Sequence, residues 1–198
     1  YFREGNKQSL LLNPAGHAAR VEATEAFIER LWKSSNQLDH RNAVPFLDFQ
    51  GQLPEEFLLM TDRFSMAWSL EARTPLLDPR LIAFVQKLSP ELRTRPRDLK
   101  YLLKAAIGDL LPPQLLAGRK RGFVLPIGAW LRGRLRPLVE TCLGRPFLEA
   151  QGIFNPAAIE GLVVPHLNNT ADNNWQVWTL LMFHCWWKKF ILKRGIWE

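Results

Sequence analysis

Apolar residues recur three and four positions apart along most of this chain, and hardly any segment alternates as a strand would. A chain patterned that way folds as packed helices. Val21 to Lys33 sets Phe27, Ile28, Leu31 and Trp32 on one stripe. Leu53-Pro54-Glu55-Glu56 opens a helix, with Pro and acids where a first turn accepts them, and apolar positions carry it to Leu70 in one piece or two. Pro79 begins another that runs past Val85. Asp98 is placed to cap a helix containing Leu99, Leu102, Leu103, Ala106, Ile107 and Leu110, which Leu111-Pro112-Pro113 ends. Further helices are expected over Gly128 to Cys142, Pro156 to Val164 and Asn174 to Lys193. On the last, Trp175, Trp178, Leu181, Met182, Cys185 and Trp186 form the expected apolar stripe. The best strand candidate, Phe123-Val124-Leu125, is too short to build a sheet. The opening segment to Ala19 lacks periodicity. It reads as a loop, or as a piece that packs against something outside this chain.

At 198 residues the chain can bury a sizeable core. An apolar content of 47% with eight Trp argues against disorder. No apolar run is long enough to span a membrane, and the start, YFREGNKQS, is not patterned as a signal peptide. The net charge of +7 suits an anionic partner, either phosphates, nucleic acid or an acidic neighbour. Cys142 and Cys185 lie in apolar surroundings and read as buried free thiols, which with the absent leader suggests a cytoplasmic protein. His17, His40, His166 and His184 are scattered without metal-ligand spacing, so no metal site is assigned.

Two stretches carry charge that core packing does not require. Residues 62–78 read DRFSMAWSLEARTPLLD, and residues 119–128 read RKRGFVLPIG. In the first, Met66, Ala67 and Leu70 can face a core. Asp62, Arg63, Glu71, Arg73 and Asp78 then form either a framework of buried or half-buried ion pairs, or a set from which Glu71 or Arg73 reaches substrate. In the second, Arg119, Lys120 and Arg121 precede Gly122. The triplet is either a solvated turn or a compact electropositive site for a diphosphate, with Lys as point charge and Arg as fork. Cations at 93–104, at 132–136 and at Lys188, Lys189, Lys193 and Arg194 read as solvated faces. His184 stands beside Cys185 without a third group to orient a dyad.

LPEEFLLMTDRFSMAWSLEARTPLLD, followed by DLKYLLKAAIGDLLPPQLLAGRKRGFVLPIGAWLRG, resembles the C-terminal part of the glutamine-dependent asparagine synthetase family. The resemblance is strong over residues 53–136, continues more loosely to the end through WQVWTLLMFHCWWKKF, and is poor before residue 45. It implies a mainly α fold: the helical C-terminal part of an adenine-nucleotide α-hydrolase-like (ATP pyrophosphatase) synthetase domain, with the parallel sheet outside this chain. On this reading residues 1–52 form a poorly matched segment with one helix, and 53–198 form the helical synthetase part.

The resemblance further implies an ATP-using amide ligase. Such an enzyme activates the aspartate side chain as an acyl-adenylate and amidates it with ammonia from glutamine, using ATP and Mg held mostly by the upstream part. Lys120 aligns with the family lysine that holds the ATP phosphates and departing pyrophosphate, and Arg121 stands beside it. Glu71, Arg73 and Asp78 fall on the family's E-x-R-x-P-x-x-D stretch, with Asp62 and Arg63 just before it, and are read as framework for the site. Lys100 matches a recurring basic position of unassigned role. The S-G-G-x-D-S loop, the S-G-x-G-x-D-E segment and the glutaminase part are expected upstream of Tyr1, so the chain alone is expected to be inactive. Apolar surface left where the sheet should sit gives a route to a homodimer. No membrane or nucleic-acid partner is expected. The alternatives are an amidotransferase of the same family acting on another carboxylate, a basic helical module that binds nucleic acid, and a helical interaction domain without chemistry.

Overall fold

The computed structural model describes residues 2–18, 24–36, 38–118, 122 and 125–197. In chain order the helices are α1 (Glu4–Leu10), α2 (Pro14–Ala18), α3 (Thr24–Ser34), α4 (His40–Gln50), α5 (Leu59–Met66), α6 (Pro79–Gln86) and α7 (Pro90–Arg93). They continue with α8 (Tyr101–Ile107), α9 (Pro113–Ala117), α10 (Ile127–Arg132), α11 (Arg136–Cys142), α12 (Arg145–Gln151), α13 (Pro156–Leu167) and α14 (Asn174–Trp186). Wider π-type turns, Leu53–Leu58 and Trp187–Ile191, lead into α5 and out of α14. Among the described residues extended pairing is limited to two isolated bridges, so the mainly α expectation holds. The chain divides into two compact units, Tyr1–Thr24 with Phe123–Glu198, and Glu25–Gly122.

The first unit owns the core. Val177, Leu180, Leu181, His184 and Cys185 of α14 are buried, a spacing of three and four that makes one continuous stripe. Against it pack Ile127 and Leu131 of α10, Leu138, Val139 and Cys142 of α11, Leu148 of α12, and Ile159 and Val163 of α13. The stripe is therefore rotated from the one the aromatic residues suggested. Trp175, Met182 and Trp186 are exposed, and Trp178 packs at the edge of the core. Interior packing favours residues that interlock in few rotamers, and here branched aliphatics took the centre while the indoles took the rim.

Several boundaries differ from the periodic reading for local reasons. Gly128 to Cys142 is two helices, because the chain turns at Gly133, where a Cβ would lie 3.0 Å from the Ala129 carbonyl oxygen. At Gly144 a Cβ would sit only 2.3 Å from the Glu140 oxygen, so glycine alone lets α12 follow α11 so closely. α13 continues through Pro165 to Leu167, and the Pro165 carbonyl then accepts the Thr170 amide at 2.9 Å. Arg145 forks onto Glu160 at 3.0 and 2.6 Å, tying α12 to α13. The opening segment is no loop. α1 places Leu10 in the core, Leu11 bridges to Phe154, and the Asn155 amide donates to the Leu10 carbonyl at 2.8 Å. The first 52 residues carry four helices among those described, where periodicity shows one.

The second unit has almost no interior. Among its described residues only Ser35 and Ala43 are buried. The expected α3 stripe is present, but Phe27, Ile28 and Trp32 are exposed, as are Met66 and Leu70. Capping is nevertheless sound. Asp39 accepts the Arg41 and Asn42 amides at 2.9 and 3.3 Å, and Asp78 accepts the Arg80 amide at 2.8 Å. Asp98 does not cap α8. It pairs with Lys104 instead, and Lys100 occupies the cap position in a left-handed conformation. The candidate strand residues Phe123 and Val124 lie outside the described residues.

Two outcomes follow from this asymmetry. Leu131→Ala or Leu181→Ala should cost about 2–5 kcal/mol in urea unfolding followed by circular dichroism. Trp68→Ala, at a side chain 87% exposed, should change stability by less than about 0.5 kcal/mol. The second outcome concerns pH. Burial holds the His184 imidazole below its ordinary pKa, and His166 is lowered by burial and then by the charge of Arg132. Both rings take up a proton less readily in the fold than in the unfolded chain, which does so near about 6.5. Their contribution is complete above that pH and is lost as pH falls below it, by at most about 1.4 kcal/mol per unit for each ring. Thermal melts between pH 7 and 5 should show this slope, and His184→Gln should flatten it.

Candidate functional site

The turn that ends α5 builds the most exposed part of the charged stretch. Ser69 has a φ of +56°, the Ser69 amide donates to Met66 and the Leu70 amide reaches back to Ser65, both at 3.0 Å. This is a Schellman-type termination with serine where glycine is usual. It stops the helix at Met66, before Leu70 and well before Pro75. Residues 70–74 then run outside any helix until the short 3-10 turn Pro75–Leu77 and the capped start of α6.

Glu71 and Arg73, two apart in that segment, face the same side and form an ion pair in which both side chains are largely exposed. Asp78 pairs with Arg80 rather than Arg73. The Arg80 side chain donates from Nε to one carboxylate oxygen at 3.1 Å and from Nη2 to the other at 2.9 Å. That guanidinium, with the Arg80 backbone N–H, holds the Asp78 carboxyl below its usual range. Asp62 and Arg63 lie on exposed turns of α5 and enter no ion pair among the described residues. The buried or half-buried network is therefore corrected. Glu71 and Arg73 meet, Asp78 has its own partner, and none of these charges is desolvated, because the second unit has no interior to place them in. Arg80 was not anticipated. Its signal was present in Asp-Pro-Arg, where a capping Asp stands two residues before an Arg.

Lys120 and Arg121 lie outside the described residues. The basic residues just upstream are described. Arg95 stacks on Tyr101 with 3.9 Å from guanidinium carbon to ring centre, and Asp98 engages Lys104. Arg97 and Lys100, exposed, have φ of +65° and +62°. Each such conformation costs a non-glycine residue roughly 1–2 kcal/mol.

The first unit offers cavities and buried polar groups but no constellation for catalysis. A cleft of about 360 Å³ is lined by Phe2, Asn6, Ser9, Leu10, Gly161 and Gln176 among others, with no charged side chain to receive a phosphate. In the second unit a cleft of about 170 Å³ beside Trp32, Asp39 and His40 includes none of the candidate residues. His184 donates from Nδ1 to the Leu180 carbonyl at 2.7 Å, and its Nε2 lies 3.2 Å from the Gln151 side-chain oxygen, so both ring nitrogens point into the core. Cys142 and Cys185 are free and buried, as expected. Their thiols meet across α11 and α14. The hydrogen bond from Cys185, with the nearby charge of Lys188, lowers the Cys142 pKa to about 7 against the opposing effect of burial. Lys188 is not part of a solvated face. It is buried and its ammonium donates to the Ile196 carbonyl at 2.9 Å. Among the described residues no three imidazole, thiol or carboxylate groups converge, so magnesium is assigned to none of them.

These features define a helical protein whose charged stretch from Asp62 to Asp78 is displayed rather than enclosed. Comparison with known proteins identifies the class. The family model for asparagine synthase matches residues 3–188, and the chain belongs to that family. The match begins some way upstream of the motifs that signal it. An asparagine synthetase (glutamine-hydrolyzing) 1 of Bacillus subtilis is 28% identical over 193 residues, covering 98% of this chain and 30% of its own length. The corresponding synthetase of Lotus japonicus is 30% identical over 105 residues, covering 48% of this chain and 18% of its own length. A root asparagine synthetase of Pisum sativum is 30% identical over 102 residues, covering 47% and 18%. The chain thus spans less than a third of the curated relatives it matches. No solved structure matches it.

Asp78→Ala should unravel the first turn of α6 and lower the helical signal of the chain. Arg80→Ala, which leaves the cap oxygen in place, should lower it less. Equal losses in circular dichroism from the two variants would show that the cap does not govern this turn.

Proposed function

We propose that this chain supplies the helical C-terminal part of an ATP-dependent synthetase domain that converts aspartate to asparagine with ammonia from glutamine. The observation that carries this reading is the asparagine synthase match across residues 3–188, joined by relatives named as glutamine-hydrolysing asparagine synthetases. In the proposed reaction the aspartate side-chain carboxylate attacks the α-phosphorus of ATP and pyrophosphate leaves. Ammonia then attacks the acyl carbon and AMP departs with the former carboxylate oxygen. The role assigned to Lys120, with Arg121 beside it, is to neutralise charge building on the departing pyrophosphate. Fixed positive charge at that point acts on the transition state more than on bound substrate.

The exposed Glu71–Arg73 pair and the Asp78–Arg80 cap are read as framework. They hold the stretch from 70 to 80 in a defined shape at a surface that the upstream part covers. The apolar residues exposed around it, Phe64, Trp68, Leu70 and Leu76, supply the contact for a nucleotide-binding sheet of the α-hydrolase-like type. Once covered, the Glu71–Arg73 pair would be desolvated, and removing one partner would then cost far more than it does at an open surface. Magnesium is expected to be held by the upstream part.

The test uses a full-length synthetase carrying this chain. Aspartate-dependent exchange of pyrophosphate into ATP should be present in that protein and absent from the 198-residue chain alone. Lys120→Ala should reduce the exchange by about 10²–10³-fold with folding unaltered. Unchanged exchange in that variant would remove Lys120 from the reaction, and exchange that ignores aspartate would overturn the acceptor.

A further inference from the structure

The end of α14 and the residues after it carry a surface unlike the rest of the chain. From Asn173 to Trp197 the sequence has no acidic residue. Lys189, Lys193 and Arg194 are exposed there and enter no ion pair among the described residues. Between them stand Phe190, Ile191 and Trp197, exposed by 63%, 48% and 70%. Apolar exposure in the second unit accompanies a missing interior and is interleaved with acids such as Asp62 and Glu71. Here the exposure belongs to the unit that has its own core.

The segment is also held in shape. The Leu192 amide donates to Trp187 at 3.1 Å, Lys193 turns the chain with a φ of +54°, and the Arg194 amide returns to the Lys188 carbonyl at 2.9 Å. The buried Lys188 ammonium then holds the Ile196 carbonyl, so the tail folds back as a hook. On the helical side Phe183, Trp186 and Phe190 follow one another with ring centres 5.8 and 6.2 Å apart. Among the described residues of this segment, aromatic and aliphatic side chains stand beside cations in no ion pair with no acid between them, a composition that matches the boundary between lipid headgroups and acyl chains. No described helix is long and apolar enough to cross a bilayer, so the contact is with its surface.

We propose that this hook docks on an anionic lipid bilayer, with Phe190, Ile191 and Trp197 in the headgroup boundary and Lys189, Lys193 and Arg194 on the lipid phosphates. Nucleic acid shares the phosphate chemistry, and Phe190 and Trp197 have faces on which a base can stack, but the aliphatic Ile191 beside them suits acyl chains and not bases. The inference stands independently of the synthetase reading.

The 198-residue chain is sedimented with phosphatidylcholine vesicles, with and without phosphatidylglycerol. Binding to the anionic vesicles should be at least about tenfold tighter and should weaken with salt. Phe190→Ser with Trp197→Ser should reduce it by about tenfold, and replacing the three cations by Gln should abolish the lipid preference. Circular dichroism melts verify that these exposed changes leave the fold intact. No binding to anionic vesicles, or binding unaffected by both variants, would overturn the proposal. So would tighter binding to a random DNA duplex that the same variants abolish.

Discussion

The packing of one α14 stripe against four other helices is the contact on which this structure depends. Val177, Leu180, Leu181 and Cys185 meet α10, α11 and α13, and α12 closes over the same core. Everything else in the first unit is arranged by that contact. The glycine at 133 breaks what would otherwise be one long helix, so that α10 and α11 can both reach α14. α1, far away in sequence, is recruited because Leu10 completes the same interior. His184 is accommodated there with its pKa lowered by burial and its Nδ1 donating to the Leu180 carbonyl.

The second unit is held by different means. Two of its helices, α4 and α6, are capped by aspartates, yet the unit encloses almost nothing. Local hydrogen bonds of this kind define shape without supplying much net stability, since water offers the same bonds to the unfolded chain. Burial of apolar surface is what usually supplies the balance, and here that surface faces outward. A unit so built fits the proposed role. In that role its charged, preformed edge and apolar face would meet the remainder of a larger synthetase, and its ion pairs would change their energetic weight once water is excluded.

The candidate site was legible in part. The order and spacing of E-x-R-x-P-x-x-D and of the basic turn led to the asparagine synthase family, to which the chain belongs. Residues 62–78 did not show their environment. Met66 and Leu70 have the spacing of core positions, but periodicity says only which residues share a face and not whether another element covers it. Nor did the pattern reveal Arg80, two residues beyond Asp78, as its partner, because the motif directs the reading to Arg73, five residues before it. Lys120 and Arg121 remain assigned by resemblance.

By itself the sequence determined the helical class, the Pro signals at the starts of α6 and α13, the burial of both cysteines, and the motif order that marks the family. These are properties of near neighbours along the chain or of residue type, and they need no knowledge of what packs where. Tertiary structure alone decided that aliphatics and not indoles fill the centre of α14, and that Lys188 is buried while its neighbour Lys189 is not. Each of those outcomes depends on which face of a helix meets a partner distant in sequence. One hundred degrees of rotation separates successive side chains, so a small change in packing phase exchanges inside for outside.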